Sequence, residues 1–197
     1  METRHIVILI IFIVLYGSGR KYFGTWHHFK NTAQIAKKAA RKVLGKNSYE
    51  ELRLKALSIT PEDLGLAFND SEIAVYGVVI DWEMRGYIAT IVAFKTGDAS
   101  LYLSSGGGVI GGGQHSNINK AAKNIVEFAN QFTKLSIPAK VALLPETNKI
   151  RFHFLTNKGL YTAQEFMHNI DNETSSWLPF FTSANELLSE LRLTSEK

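Results

Sequence analysis

Residues 71–82, SEIAVYGVVIDW, and residues 86–95, GYIATIVAFK, are rich in β-branched and aromatic side chains and apolar on both faces. Segments of that kind read as central strands of a sheet. Only EMR separates them, and with Gly86 it makes a turn, so they must run antiparallel as a hairpin. The pair therefore excludes an all-helical chain and a purely parallel α/β sheet, and it needs helices to pack on.

The flanking sequence supplies them. A capping box of Ser48 and Glu51 predicts a helix through about Ile59, and Thr60-Pro61 opens a short further turn that Gly65 closes. Beyond the hairpin, TGD at residues 96–98 turns into a third strand over residues 99–105. There Leu101 and Leu103 alternate with Ser100, Tyr102 and Ser104, leaving one face open to water. Ser116 or Asn117 caps a helix to about Leu135 with a stripe of Ile118, Ala121, Ala122, Ile125, Ala129 and Phe132. Pro138 resets the chain for a strand over residues 141–144. PETNK then leads into IRFHFL, TNKG turns into LYTAQE, and a last helix carries Leu187, Leu188 and Leu191 behind a second capping box of Ser183 and Glu186. Trp177, Phe180 and Phe181 belong to the core by this reading. The order is helix, three strands, helix, three strands, helix. It predicts an α+β domain with an antiparallel sheet of five to six strands and helices largely on one face, two layers in an order shared by profilin-like and secretion-chaperone-like folds.

Composition narrows the chemistry. The 197 residues contain no cysteine, which excludes disulfides, thiolate metal sites and thiol nucleophiles. The net charge of +4 is unevenly spread: residues 1–57 carry +8 and residues 58–197 carry −4. A mildly acidic body argues against a general nucleic-acid binder and puts any attraction for polyanions in the leader.

That leader begins with an unbroken apolar run over residues 6–16, which as a helix would cover roughly 16 Å of a ~30 Å hydrocarbon core. Three readings are open: a retained anchor, a signal peptide cleaved after Gly19, or an incorrect start site. Arg20 and Lys21 directly downstream, followed by Lys30, Lys37, Lys38, Arg41 and Lys42, favour retention with the domain on the cytoplasmic side; export after cleavage is the alternative. In AQIAKKAARKVLGK the apolar Ile35, Ala39 and Val43 oppose a lysine-arginine face, which suits a helix lying on anionic lipid and equally a solvated linker. The chain thus divides into an anchor or signal over residues 1–19, a basic amphipathic linker over 20–47 and a globular domain over 48–197.

Six glycines fill eight positions between the third strand and the middle helix: Gly106, Gly107, Gly108, Gly111, Gly112 and Gly113. The spacing of Gly106, Gly108 and Gly111 matches G-x-G-x-x-G, but it ends a three-strand meander and opens no parallel βαβ unit, so the dinucleotide reading fails. A phosphate loop fails as well, because Gly112 or Gln114 stands where lysine is required, and no G-x-S-x-G elbow occurs anywhere. Two readings survive. Bare backbone amides ahead of a helix can cradle an anion, with His115 and Ser116 at the mouth; or the glycines turn the backbone while Val109 and Ile110 plug the space between sheet and helix. Asp81 and Glu83, on one strand face near Arg85 and across from Asp98, form a candidate carboxylate pair for proton transfer or a divalent cation, and equally a solvated hairpin end. Arg151 and His153 on an outer face, and His168, have no ligand spacing.

The stretch GDASLYLSSGGGVIGGGQH, with LRLKALSITPEDLGL and VYGVVIDWE before it and IRFHFLTNKGLYTAQE after it, resembles an uncharacterised bacterial family marked by Leu-Tyr-x-Ser-x-Gly-Gly-Gly-x-Ile-Gly-Gly-Gly. The resemblance spans residues 49–192, implies a bacterial source and a shared domain, and transfers no catalytic residue. With no nucleophile, base and oxyanion set in view, no catalytic residue, metal or cofactor is assigned. The sequence is read as a membrane-tethered, non-enzymatic binding or regulatory domain. Its partners are membrane lipid through the leader and a protein or small anionic ligand at the glycine-rich loop. The alternative is an enzyme acting on a small phosphorylated or carboxylated substrate held at that loop.

Overall fold

A computed structural model describes residues 49–69 and 71–195. The apolar run, the basic linker and the capping residue Ser48 lie outside the described residues. The chain forms α1 (Tyr49–Ser58), a hairpin of β1 (Val75–Met84) and β2 (Tyr87–Phe94), β3 (Ala99–Leu103), a two-residue β4 (Gly108–Val109) and α2 (Ser116–Ala129) with a 3-10 extension to Leu135. Then come β5 (Ile137–Ala139), β6 (Lys149–Thr156), β7 (Gly159–Phe166), a short α3 (Met167–Asp171) and α4 (Leu178–Ser195). The strands make one antiparallel sheet in the order β4-β3-β2-β1-β6-β7-β5, an α+β fold with one or two strands more than the sequence predicts.

The β1–β2 hairpin turns on Arg85 and Gly86, both at positive φ (52° and 90°), the left-handed pair that matches the twist of the flanking strands. Alternation along the strands then sorts side chains to two faces. Val78 and Ile80, Ala89, Ile91 and Ala93, and Phe152 and Phe154 meet α2 and α4, whose Ile118, Ile125, Leu187 and Leu191 are fully buried. The rings of Trp177, Phe180, Phe132, Phe152 and Phe154 stack there at centroid distances of 4.8–6.4 Å. Tyr76, Val79, Val92, Phe94, Tyr102 and Leu155 face the other way, against Leu52, Ala56 and Leu57 of α1. The sheet is therefore covered on both faces, and Ser100 and Tyr102, expected to face water, are buried.

Two local expectations are corrected. Residues 141–144 are irregular, and the strand after α2 is β5, which pairs with β7 at the sheet edge. Pro138 lies within it, as an edge strand tolerates. The last helix starts at Leu178, so Ser183 and Glu186 are interior to α4. Ser175 stands ahead of the helix start instead, with its hydroxyl accepting from Trp177 N and donating to Glu165.

Candidate functional site

The glycine-rich loop is held by its own hydrogen bonds and by packing. Gly106 N donates to Leu103 O at 2.9 Å, Leu103 N to Gly107 O at 3.1 Å, Gly111 N to the Ser100 hydroxyl at 3.3 Å and His115 N to Gly112 O at 3.1 Å. Gly108 has φ +147°, and a Cβ there would lie 2.0 Å from Leu101 O. At Gly112 a Cβ would meet Leu191 at 2.8 Å and Ile118 at 3.1 Å, and at Gly113 it would meet the Asp98 backbone at 2.8 Å. Asn119, in the first turn of α2, donates to Thr96 O and Gly113 O and so ties the β2–β3 turn to the loop. Val109 packs on the core, whereas Ile110 is exposed, as are Gly111, Gln114, His115 and Ser116. Gly106 to His115 form the connection from β3 through β4 to α2, which Ser116 opens; the glycines serve close approach at Gly108, Gly112 and Gly113, and the outer rim presents Ile110, Gln114 and His115 to solvent.

This divides the glycines into testable classes. Gly108→Ala forces a Cβ into a carbonyl at a φ that L-residues avoid, and is expected to cost about 2–3 kcal/mol in denaturant unfolding. Gly111→Ala meets open space at φ +70°, and should cost only about 1 kcal/mol.

The densest cluster of ionisable groups lies elsewhere, between the sheet and α1. Asp81 on β1 and His153 on β6 are fully buried, and Arg53 of α1 is 6% exposed. Arg53 grips the carboxylate with Nε at 3.1 and 3.0 Å from its two oxygens and Nη2 at 2.6 Å from Oδ2. The same Nη2 donates to Ala142 O at 3.1 Å and Leu143 O at 3.3 Å. Thr90 donates to Asp81 Oδ1 at 2.6 Å, which uses its single proton, so Tyr49 is the donor in the 2.8 Å contact between the two hydroxyls. His153 Nε2 faces Leu143 O at 3.1 Å and Asp81 Oδ2 at 3.3 Å; both are acceptors, so Nε2 carries a hydrogen. The 3.3 Å approach of Arg53 Nη2 to that nitrogen is then donor against donor, a close packing contact. Nδ1 meets the Thr162 hydroxyl at 3.2 Å.

These groups consume one another. Burial pushes the Asp81 carboxyl up, but the hydrogen bonds from His153 and Arg53, with the Arg53 charge, outweigh it and hold the carboxyl below its ordinary range. Tyr49 is pushed up to about 12, by burial first and then by the Asp81 charge. An acid held down and a phenol held up are fixed in one protonation state across the neutral range, which suits structure better than proton transfer.

A pH dependence follows with a definite sign. An unfolded Asp titrates near about 3.9, and folded Asp81 resists protonation below that value. Its stabilisation is complete above the unfolded pKa and is lost as pH falls through the folded one. Urea unfolding over about pH 6 to about pH 2.5 should show a steeper acid loss in the wild-type protein than in Asp81→Asn, because the other depressed carboxyls, Glu146 and Glu165, are common to both.

On the sequence, Asp81 pairs with Glu83, near Arg85 and across from Asp98. The structure gives each a different partner. Glu83 accepts from Gly86 N at 2.5 Å and Asn148 N at 2.7 Å, closing the hairpin end. Arg85 is exposed at the turn, and opposite Asp81 stand Thr90 and Arg151. Asp98 lies in the β2–β3 turn, where its carboxylate accepts from the Thr96 hydroxyl. Among the described residues no group of three or more His, Asp or Glu could hold a metal ion. Arg53 was missed. Its signal was the lone aspartate inside VVIDW, a strand otherwise too apolar to leave a charge unpaired. Among the described residues no helix is long and apolar enough to cross a membrane. No family model matches the chain, and no curated protein or solved structure matches it either.

Proposed function

We propose that the chain is a membrane-tethered, non-enzymatic binding or regulatory domain, anchored through its leader with the domain on the cytoplasmic side. The observation that carries this reading is the sealed state of Asp81, His153 and Arg53: groups able to do acid–base work are closed to solvent and saturated by each other. The glycine-rich loop supports a binding surface because Ile110, Gln114, His115 and Ser116 stand exposed on a base fixed by Gly112, Gly113 and Asn119. Function on such a rim comes from shape presented by a rigid scaffold.

Two measurements test it. Full-length protein made in bacterial cells should remain in the membrane pellet through an alkaline carbonate wash; recovery in the soluble fraction contradicts the tether. Inorganic phosphate and ATP should leave the melting temperature of the full-length protein unchanged. A phosphate-dependent rise that His115→Gln leaves intact would mark a small anionic ligand bound at the loop, and turnover of a phosphorylated compound that His115→Gln abolishes would favour the alternative, an enzyme holding a phosphorylated substrate there.

A further inference from the structure

We infer that the folded domain makes a second membrane contact, through an aliphatic ridge along the β5 edge of its sheet that lies against an anionic lipid surface. This rests on the tethered reading and goes beyond it, because it assigns which side of the domain meets the bilayer.

The ridge runs from the end of α2 through β5 into the loop before β6. Ile137 is 67% exposed, Val141 65%, Leu143 58%, Leu135 52% and Leu144 44%. Five large aliphatic side chains open to solvent within ten residues are a concentration that scattered surface apolars do not produce. Its cause is visible in the backbone. Ala142 O and Leu143 O point inward to Arg53, and Leu143 O also to His153, so the buried polar centre fixes the main chain of this loop and its side chains are left outward. The register pairs Ile137 with Thr162 and Ala139 with Leu160. Thr162 and Leu160 lie on the face that carries His153 and α1, so Ile137 shares that face.

Three observations select lipid as the occupant. Residues 131–145 contain Lys134 and Lys140 and no Asp or Glu, and both lysines are exposed; aliphatics flanked by lysine are the composition of an interfacial contact with anionic headgroups. Tyr49 lies over β2 with its hydroxyl on Thr90, and Arg53, one helical turn or about 6 Å of rise further on, is bonded to the ridge loop, so α1 and the ridge loop meet on one side of the domain. Strand addition by a second copy is disfavoured, since β5 is three residues long with Pro138 at its centre. The ridge contact fixes which surfaces of the domain, the glycine-rich loop included, face away from the bilayer.

The absence of native cysteine allows a direct test with full-length protein in vesicles of phosphatidylcholine and phosphatidylglycerol. An environment-sensitive fluorophore is placed at Val141→Cys or Leu144→Cys, with Lys123→Cys on the exposed side of α2 as the reference. Flotation with the vesicles reads the tether; quenching by lipid-borne nitroxide reads the ridge. The inference predicts blue-shifted emission and strong lipid quenching at positions 141 and 144, neither at 123, and a fall of the 141 signal toward the 123 level when Leu143→Ser and Leu144→Ser are added. Protein that floats while all three labels answer only to an aqueous quencher overturns the ridge and leaves the tether standing. Labels shielded from both quenchers overturn it in favour of a protein contact, and failure to float overturns both readings.

Discussion

Asp81→Ala is expected to lower folding stability by about 3–5 kcal/mol, because it strands the Arg53 guanidinium in a buried site with only two carbonyls and a ring nitrogen beside it. Arg53→Met should cost a similar amount for the mirror-image reason. The pair replaced together, Arg53→Met with Asp81→Leu, should recover most of the loss, since two apolar chains of similar volume need no hydration to be replaced. Urea unfolding of the four proteins closes the cycle. A large favourable coupling is expected, well beyond the near-additivity of separated sites. Near-additive losses would mean that the ion pair is not the unit holding α1 to the sheet.

The second large effect belongs to the opposite face. Phe180 is fully buried, with its ring 5.0 Å from Phe132 and 5.4 Å from both Phe152 and Phe154. It is the point at which α4, the end of α2 and β6 meet. Phe180→Ala leaves a cavity that three aromatic neighbours cannot collapse into, so a loss of about 3–5 kcal/mol is expected, or about 10 °C or more in melting temperature. Phe180→Leu keeps most of the volume and should cost about 1–1.5 kcal/mol. Equal losses for the two variants would show that volume is not what matters there. Neither change touches the α1 face, so both proteins should still fractionate with the membrane.

Local patterning carried most of this architecture. The β1–β2 hairpin, the Ile118–Ile125 stripe of α2 and the burial of Trp177, Phe180 and Phe181 are each set by periodicity or turn chemistry within a dozen residues, and all three were readable. Contacts across long separations were not. Residues 141–144 are apolar enough for a strand, but Arg53, 89 residues earlier, takes the Ala142 carbonyl, and β7 takes the place beside β6. The Ser183 and Glu186 pattern is a real capping signature, overridden because Trp177 and Phe180 draw the helix start back to where they can be buried. The two-layer expectation fails for a related reason: α1 is weakly amphipathic, and its attachment to the second face of the sheet depends on Arg53 finding Asp81 across 28 positions. At the candidate site, the glycine-rich loop was legible as a unit but the role of each glycine was not, since close approach depends on Leu191, Ile118 and Asp98, which the local sequence does not bring near.

The polar centre of Arg53, Asp81 and His153 is closed to water, and the solvent exchange of the His153 ring proton reads that closure. In full-length protein held in detergent micelles, the hydrogen on Nε2 should give a separate resonance that exchanges only as fast as the whole domain unfolds. A ring proton averaged with bulk water on the millisecond scale, in a domain that remains folded, would mean that Asp81 and His153 are open to substrate, and would contradict the binding-domain reading.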